Sequence, residues 1–407
     1  MARNFTKVYI TPKGEKHLKT GHPWVFGEEI TAVNGTYNNG DIVDVYSKKD
    51  KYMGSGYIND NSKIRVRIIS RNANDKFDEA FYERRIRYAI AYRRTVMGDD
   101  DFKCCRLIFG EADSFSGLTV DRFNNIIVVQ VLSLGIERVK DFIITKLVDV
   151  LREQGETIDA VYERNDVAIR ECEGLKQYKG FYEAEGLKTD LDGITEITEN
   201  GIKYAVDYIN GQKTGFFLDQ KYNRMAIRKI AKGRKVLDCF THTGAFALNA
   251  AAAQAELVTA VDISEDALSS AERNAQLNGF DNMEFKCANV FDLLTEMKET
   301  KKCDYDFIIL DPPAFTKSSA TVKSAYRGYK EINMKAMKLL PRGGYLATCS
   351  CSHFMPDELF RKMLVDAASD ADVSLRQIEC RQQSADHPIL WNVPETDYLK
   401  FYIFQIV

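Results

Sequence analysis

The chain has 407 residues, 45% hydrophobic and 28% charged, with a formal net charge of −3, as expected of a globular protein with two or three domains. No apolar run reaches the ~18 residues of a membrane span, the N-terminal stretch lacks the apolar core of a signal peptide, and the overall charge makes no case for nucleic acid. Nine cysteines, an odd number with no paired C-x-x-C, suit neither a disulfide framework nor a zinc site, so a reducing cytoplasm and no metal are expected.

Residues 1–70 read as short alternating runs, Lys7 to Ile10, Asp41 to Tyr46 and Lys63 to Ile69, separated by Asn34-Gly35 and Asn39-Gly40-Asp41. Such spacing predicts a small β-barrel. Eleven Lys/Arg against seven Asp/Glu give this stretch a local +4, a source of sequence-independent phosphate attraction. Gly21-His22-Pro23-Trp24-Val25-Phe26 with the following strands resembles a PUA domain, a small RNA-binding barrel; Trp24 and Phe26 are expected in its core. From Asp75 to Gly98 a helical pattern carries Arg84, Arg85, Arg87, Arg93 and Arg94, and positions 84, 87 and 94 can share one basic face. A hairpin (Gly117 to Asp121, Ile126 to Val131), a helix near Ile136 to Gln154 and a strand from Ala160 to Arg164 complete an α+β middle domain over 71–190.

The third domain is expected over 191–407, opening with a hairpin around Glu199-Asn200-Gly201. Three apolar strands follow, ending in Asp238, in Asp262 and in Asp311-Pro312-Pro313. Alternating with helical stretches, they predict an α/β, Rossmann-like doubly wound sheet with a ligand crevice at the strands' carboxyl ends. The first turn, Phe240-Thr241-His242-Thr243-Gly244, has one glycine, whereas a dinucleotide site wants G-x-G-x-x-G to surround a pyrophosphate. A ligand with ribose and adenine but no phosphate fits better, which points to S-adenosylmethionine. Asp262 is placed to accept hydrogen bonds from the ribose hydroxyls. The bland alternative is a generic doubly wound domain whose acidic strand ends only cap helices.

Asp311-Pro312-Pro313-Ala314-Phe315 resembles the Asp/Asn-Pro-Pro-aromatic motif of methyltransferases that act on purine amines, but a later strand changes the chemistry within reach. Gly344 to Ser352 carries Cys349 and Cys351. Carbon 5 of a pyrimidine is a poor nucleophile until a thiolate adds at carbon 6. Both cysteines share side-chain parity on a strand, so periodicity does not separate them; Cys351 lies nearer the strand's end.

Asp113 to Arg122, Glu163 to Leu175, the run Lys213 to Arg224, Ser350-Cys351-Ser352 and Asp386-His387-Pro388 together resemble the bacterial ribosomal RNA cytosine-5 methyltransferases that begin with a PUA domain. The likeness spans essentially the whole chain. It departs from the family at Ser116, where proline is usual. Ala314 stands where many RNA cytosine-5 enzymes have a second cysteine, so a one-cysteine type is implied.

The resemblance implies Cys351 as nucleophile, with Asp311 beside it in the catalytic site. Cofactor contacts are expected from Gln220, Asp238, Phe240, Gly244, Asp262, Ile263, Asn289, Val290 and Asp311. Substrate contacts are expected from Pro312, Pro313, Phe315, Arg224 and His387, the last with a loop role equally open. Gln220 and Arg224 resist a core reading because burying them would need partners. Asn274 is expected to tie its helix to a neighbouring strand. The expected substrate is ribosomal RNA of the large subunit. Guanine methylation on ribosomal RNA and a silent RNA-binding factor stay open, as does a homodimer.

Overall fold

The computed structural model describes residues 4–300, 303–316 and 318–407; residues 1–3 of the expected barrel lie outside these. The chain divides into two compact units. One comprises Met1–Ile197, Val206–Leu218 and Ala385–Thr396; the other comprises Thr198–Ala205, Asp219–Ser384 and Asp397–Val407.

The first unit opens with β1 (Lys7–Ile10), α1 (Pro12–Lys19), β2 (Trp24–Phe26), β3 (Ile30–Asn34), β4 (Ile42–Ser47), β5 (Tyr52–Ile58) and β6 (Ile64–Ser70). These form one six-stranded sheet in the order β2-β6-β5-β4-β1-β3. Proline at the first helical position and the Thr11 side chain, which accepts the Gly14 amide at 3.2 Å, start α1. Val8, Ile10, Val25, Val43, Val45 and Val66 fill the barrel. Trp24 and Phe26, expected in the barrel core, are only half-buried. On a strand, neighbours face opposite sides, so burying Val25 turns both rings away from the core. Trp24 instead donates its indole N–H to Glu111 at 3.0 Å.

Next come α2 (Glu79–Val96), α3 (Asp99–Phe102), β7 (Cys104–Phe109), β8 (Leu118–Phe123), β9 (Ile126–Val131), α4 (Leu134–Glu137), α5 (Lys140–Glu153), β10 (Ala160–Asn165) and β11 (Tyr178–Phe181), with sheet order β11-β10-β9-β8-β7. The expected basic strip on α2 dissolves into ion pairs. Arg87 meets Glu83 and Glu153, Arg94 meets Glu156, and Arg84 meets Asp75. Buried Arg93 donates to Asp113 at 2.8 Å. Carboxylates distant in sequence neutralise the face.

After the hairpin β12 (Ile194–Glu199) and β13 (Ile202–Asp207) come α6 (Lys221–Ala226), α7 (Arg228–Ala231), β14 (Lys235–Cys239), α8 (Ala245–Ala252), β15 (Leu257–Asp262), α9 (Glu265–Asn278), β16 (Met283–Cys287), α10 (Val290–Thr300), β17 (Phe307–Leu310), α11 (Val322–Leu339), β18 (Tyr345–Ser350), α12 (Asp357–Ala371), β19 (Leu375–Arg381) and β20 (Lys400–Ile406). The seven-stranded sheet runs β16-β15-β14-β17-β18-β20-β19. Its first five strands are parallel, and β20 is antiparallel to both neighbours. Alternate residues feed two cores. Leu237, Ile308 and Leu310 pack with α10, α11 and α12, whereas Val236, Phe307 and Ile309 pack with α7 and α8. This is the expected Rossmann-like sheet, and its order reverses between β14 and β17, where a ligand crevice belongs.

No helix among the described residues is long and apolar enough to cross a membrane. No cluster of metal-ligating side chains occurs among them.

Candidate active site

The turn after β14 is built from unusual backbone. Phe240, His242 and Gly244 all take positive φ, at 62°, 51° and 83°. At Gly244 a side chain is excluded twice: the conformation is left-handed, and a Cβ would lie 2.9 Å from that of Ala271. The turn thereby presents the His242 amide to Asp262 Oδ2 at 2.9 Å, while the Ser264 amide holds Oδ1 at 3.0 Å. Asp262 is thus fixed in direction at the end of β15, half-buried, with Ile263 exposed beside it. Asn274 links α9 to its surroundings as expected, accepting the Ala205 amide of β13 and donating to the Thr243 carbonyl in the turn. Beyond β16, exposed Asn289 accepts the Phe291 amide at 2.9 Å and Val290 is buried.

Asp238, the last residue but one of β14, lies inside the protein, 1% exposed. Its Oδ2 accepts the Thr241 hydroxyl at 2.6 Å and the Ala247 amide at 2.9 Å. Its Oδ1 has no hydrogen-bond partner among the described residues. Burial, with the nearby charges of Asp311 and Asp262 adding to it, pushes the Asp238 carboxyl up to about 7. Three carboxylates bearing on one another, one with a vacant acceptor, call for a cation. S-adenosylmethionine carries a sulfonium and an ammonium, so these residues fit the cofactor.

Gln220 is held by Asn223, whose amide N–H reaches its oxygen at 2.7 Å, and its own amide donates to both Asp311 oxygens at 3.1 and 3.2 Å. Of the following residues, Pro312 is buried, Pro313 is exposed and Phe315 is half-buried, its ring 4.5 Å from that of Tyr329. The two cysteines of the β18 region separate clearly. Cys349 is 0% exposed within the α7–α8 core, and burial, then the Asp311 charge, pushes its thiol well above the ordinary range. Cys351, one residue past β18, is half-buried.

Two residues expected at the substrate are enclosed instead. Arg224 and Glu199 have side-chain exposures of 2% and 0% and form a two-bonded ion pair at 2.7 Å. Burial would lower the guanidinium's pKa, but Glu199 outweighs it and holds it above its ordinary value. The partner that a buried Arg224 required is therefore a hairpin residue. His387 lies in the first compact unit, 2% exposed, with Nδ1 2.9 Å from Asp386. Asp386 accepts the Arg106 amide at 2.8 Å, so both side chains are engaged in holding their loop.

Sequence reasoning missed Asn223, Tyr329 and Lys400. Asn223 could have been suspected from its place in the first turn of α6, three residues after Gln220 at that helix's start. Tyr329 receives the Ser350 hydroxyl at 3.1 Å, and Lys400 donates to the Ser352 carbonyl at 2.7 Å. Neither carries a local sequence signal.

Residues 8–71 match the model of a PUA-like domain, and residues 170–400 match that of an S-adenosylmethionine-dependent methyltransferase. The chain is 40% identical to ribosomal RNA large subunit methyltransferase I of Pseudoalteromonas atlantica, over 99% of this chain and 100% of that protein. It is 37% identical to the protein of that name from Klebsiella pneumoniae, over 99% of each. Among solved structures, one described as a SAM-dependent methyltransferase from Streptococcus mutans superposes with a TM-score of 0.81 at 21% identity, covering 98% of this chain and 99% of that one. A methyltransferase complexed with SAH gives 0.82 at 20% identity, with the same coverage. These two likenesses speak for the fold.

Proposed function

The chain belongs to the ribosomal RNA large subunit methyltransferase I family and is an S-adenosylmethionine-dependent methyltransferase, and on that premise we propose that it methylates carbon 5 of a cytosine in large-subunit ribosomal RNA. The observation that carries this reading is the contrast between the two cysteines. Cys349 is sealed in the core, whereas Cys351 is partly accessible just beyond the strand next to the one that ends in Asp311. Asp-Pro-Pro alone would serve amino methylation of a purine equally well. A thiol at this position adds the one group that a pyrimidine carbon needs.

When bound, S-adenosylmethionine supplies an electrophilic sulfonium methyl. Asp262 would accept from its ribose, Ile263, Asn289 and Val290 would hold the adenine, and Phe240 and Gly244 would shape the turn that receives it. Asp238 and Asp311 face its positive charge, with Gln220 fixing the Asp311 carboxylate. On the base side, Pro312, Pro313 and Phe315 bound the space for the cytosine. The Cys351 thiolate adds to carbon 6, forming an S–C bond and leaving the former C5–C6 double-bond pair at carbon 5 to take the methyl, whose bond to the sulfonium breaks with its electron pair staying on the cofactor sulfur. A base then removes the carbon 5 proton; that electron pair restores the double bond as the S–C bond breaks and the thiolate leaves. The PUA-like barrel, with exposed Lys48, Lys49 and Lys51, contributes phosphate attraction. Nine free cysteines accord with a reducing cytoplasm.

The test uses RNA containing 5-fluorocytosine, from which the thiolate is not released. Wild type and Cys349→Ala should give a protein–RNA band that survives denaturing electrophoresis, and Cys351→Ala should not. Trapping through Cys349 would move the nucleophile. Robust methylation by Cys351→Ala, with methylguanosine among the digested nucleosides, would replace the reading by purine methylation.

A further inference from the structure

One buried cation takes no part in the steps above. Lys400 is the first residue of β20 and stands opposite Ser350 in the antiparallel ladder, one residue before Cys351. It is 4% exposed. Its ammonium donates to two carbonyls, those of Ser352 at 2.7 Å and Tyr398 at 2.8 Å. Both acceptors are neutral, and among the described residues no carboxylate is hydrogen-bonded to it.

Buried charges are ordinarily matched by an opposite charge. The two carboxylates whose charges reach Lys400 are engaged elsewhere: Asp357, at the start of α12, accepts from the Tyr402 hydroxyl, and Asp397 accepts from Gln382 at 3.2 Å. Burial draws the Lys400 pKa down to about 8, and Cys351 is the foremost group drawing it back up. An ammonium with three donors and two carbonyl acceptors has one N–H left for an anion.

We propose that Lys400 is the positioning residue that holds the Cys351 sulfur as a thiolate, its ammonium serving as the counter-charge. The proposal rests on Cys351 being the nucleophile. In this pairing the protonation of one group bears on that of the other. Thiolate with ammonium carries the same net charge as thiol with amine, so the two opposite charges that the proton transfer creates offset each other's burial. Other groups bear on the same space. Burial and then the Cys351 charge both keep the phenol of Tyr329, on α11, protonated. Asp311 and Cys349 also act there, and a carboxylate opposes a thiolate, which makes a matching cation more necessary.

The experiment follows iodoacetamide alkylation of Cys351 in the full chain, by peptide mass spectrometry, across pH 5.5 to 9.5. Exposed Cys287 is the internal control. Lys400→Gln keeps a donor for the Ser352 carbonyl and removes the charge; Lys400→Met removes both. Each should raise the apparent Cys351 pKa by about one unit or more, slowing alkylation at pH 7 about tenfold, while Cys287 is unchanged. Lys400→Arg should restore most of the rate. Only variants with wild-type cofactor affinity are compared, and if Met unfolds the chain, Gln against Arg decides. An unchanged Cys351 profile in folded Lys400→Gln overturns the pairing. The 5-fluorocytosine trap separates the two failures: a wild type that traps while Lys400→Gln alkylates normally refutes Lys400 alone. A charge-dependent Cys351 without any trap refutes the nucleophile and leaves the ion pair standing.

Discussion

Cofactor affinity should depend on pH through Asp238. In the cofactor-free protein its carboxyl titrates at about 7, because of burial and then the charges of Asp311 and Asp262. A bound sulfonium and ammonium favour the carboxylate, so binding below pH 7 must expel a proton. If the bound-state value falls well below 5.5, affinity rises about 25-fold between pH 5.5 and 7.5, about 2 kcal/mol, and flattens above. The sign for stability is opposite. An aspartate raised above its unfolded value of ~3.9 contributes stability that is full below that value and lost as pH rises to about 7. The cofactor-free protein should therefore lose thermal stability over this window. Asp238→Asn should flatten both profiles. Titration calorimetry in buffers of different ionisation enthalpy measures affinity and proton release together. Affinity that is flat from pH 5.5 to 7.5 with no proton released, or an equal slope in Asp238→Asn, would refute the reasoning.

Asp262→Ala removes a charge-assisted acceptor and the anchor of the His242 amide; cofactor binding by equilibrium dialysis should weaken by ~1.5–3 kcal/mol, and an unchanged affinity would mean the ribose lies elsewhere. Gly244→Ala meets both a left-handed backbone and the Ala271 Cβ at 2.9 Å, so a melting temperature equal to wild type would contradict the turn geometry; a loss of roughly 1–3 kcal/mol is expected. Arg224→Met strands Glu199 in the interior, and urea unfolding should show about 3–5 kcal/mol lost, with Arg224→Met/Glu199→Leu recovering much of it. Replacing Lys48, Lys49 and Lys51 by glutamine should weaken RNA binding and make it less salt-dependent, by about one unit of logarithmic slope for each lysine that pairs with a phosphate, with cofactor affinity unaltered.

What the sequence determined by itself is what depends on near neighbours. The apolar runs ending in Asp238, Asp262 and Asp311 mark parallel strands, because a strand buried on both faces is apolar throughout and turns polar only where it leaves the sheet. Gly244 marked the turn, since its left-handed conformation is a property of one residue. The ordering of Cys349 and Cys351 was also local, resting on distance to the strand's end. Partners far along the chain were settled only by the tertiary structure. Arg224 reads as a substrate contact until the hairpin brings Glu199, 25 residues away, against it. The arginines of α2 read as a basic strip until Asp75, Glu153 and Glu156 neutralise them. Lys400 is an ordinary lysine in sequence. The late strand β20 inserts antiparallel between β18 and β19, setting an ammonium 48 residues downstream against the Ser352 carbonyl. Backbone periodicity is written into consecutive residues, whereas the counter-charge of a buried group is chosen by whichever elements pack together.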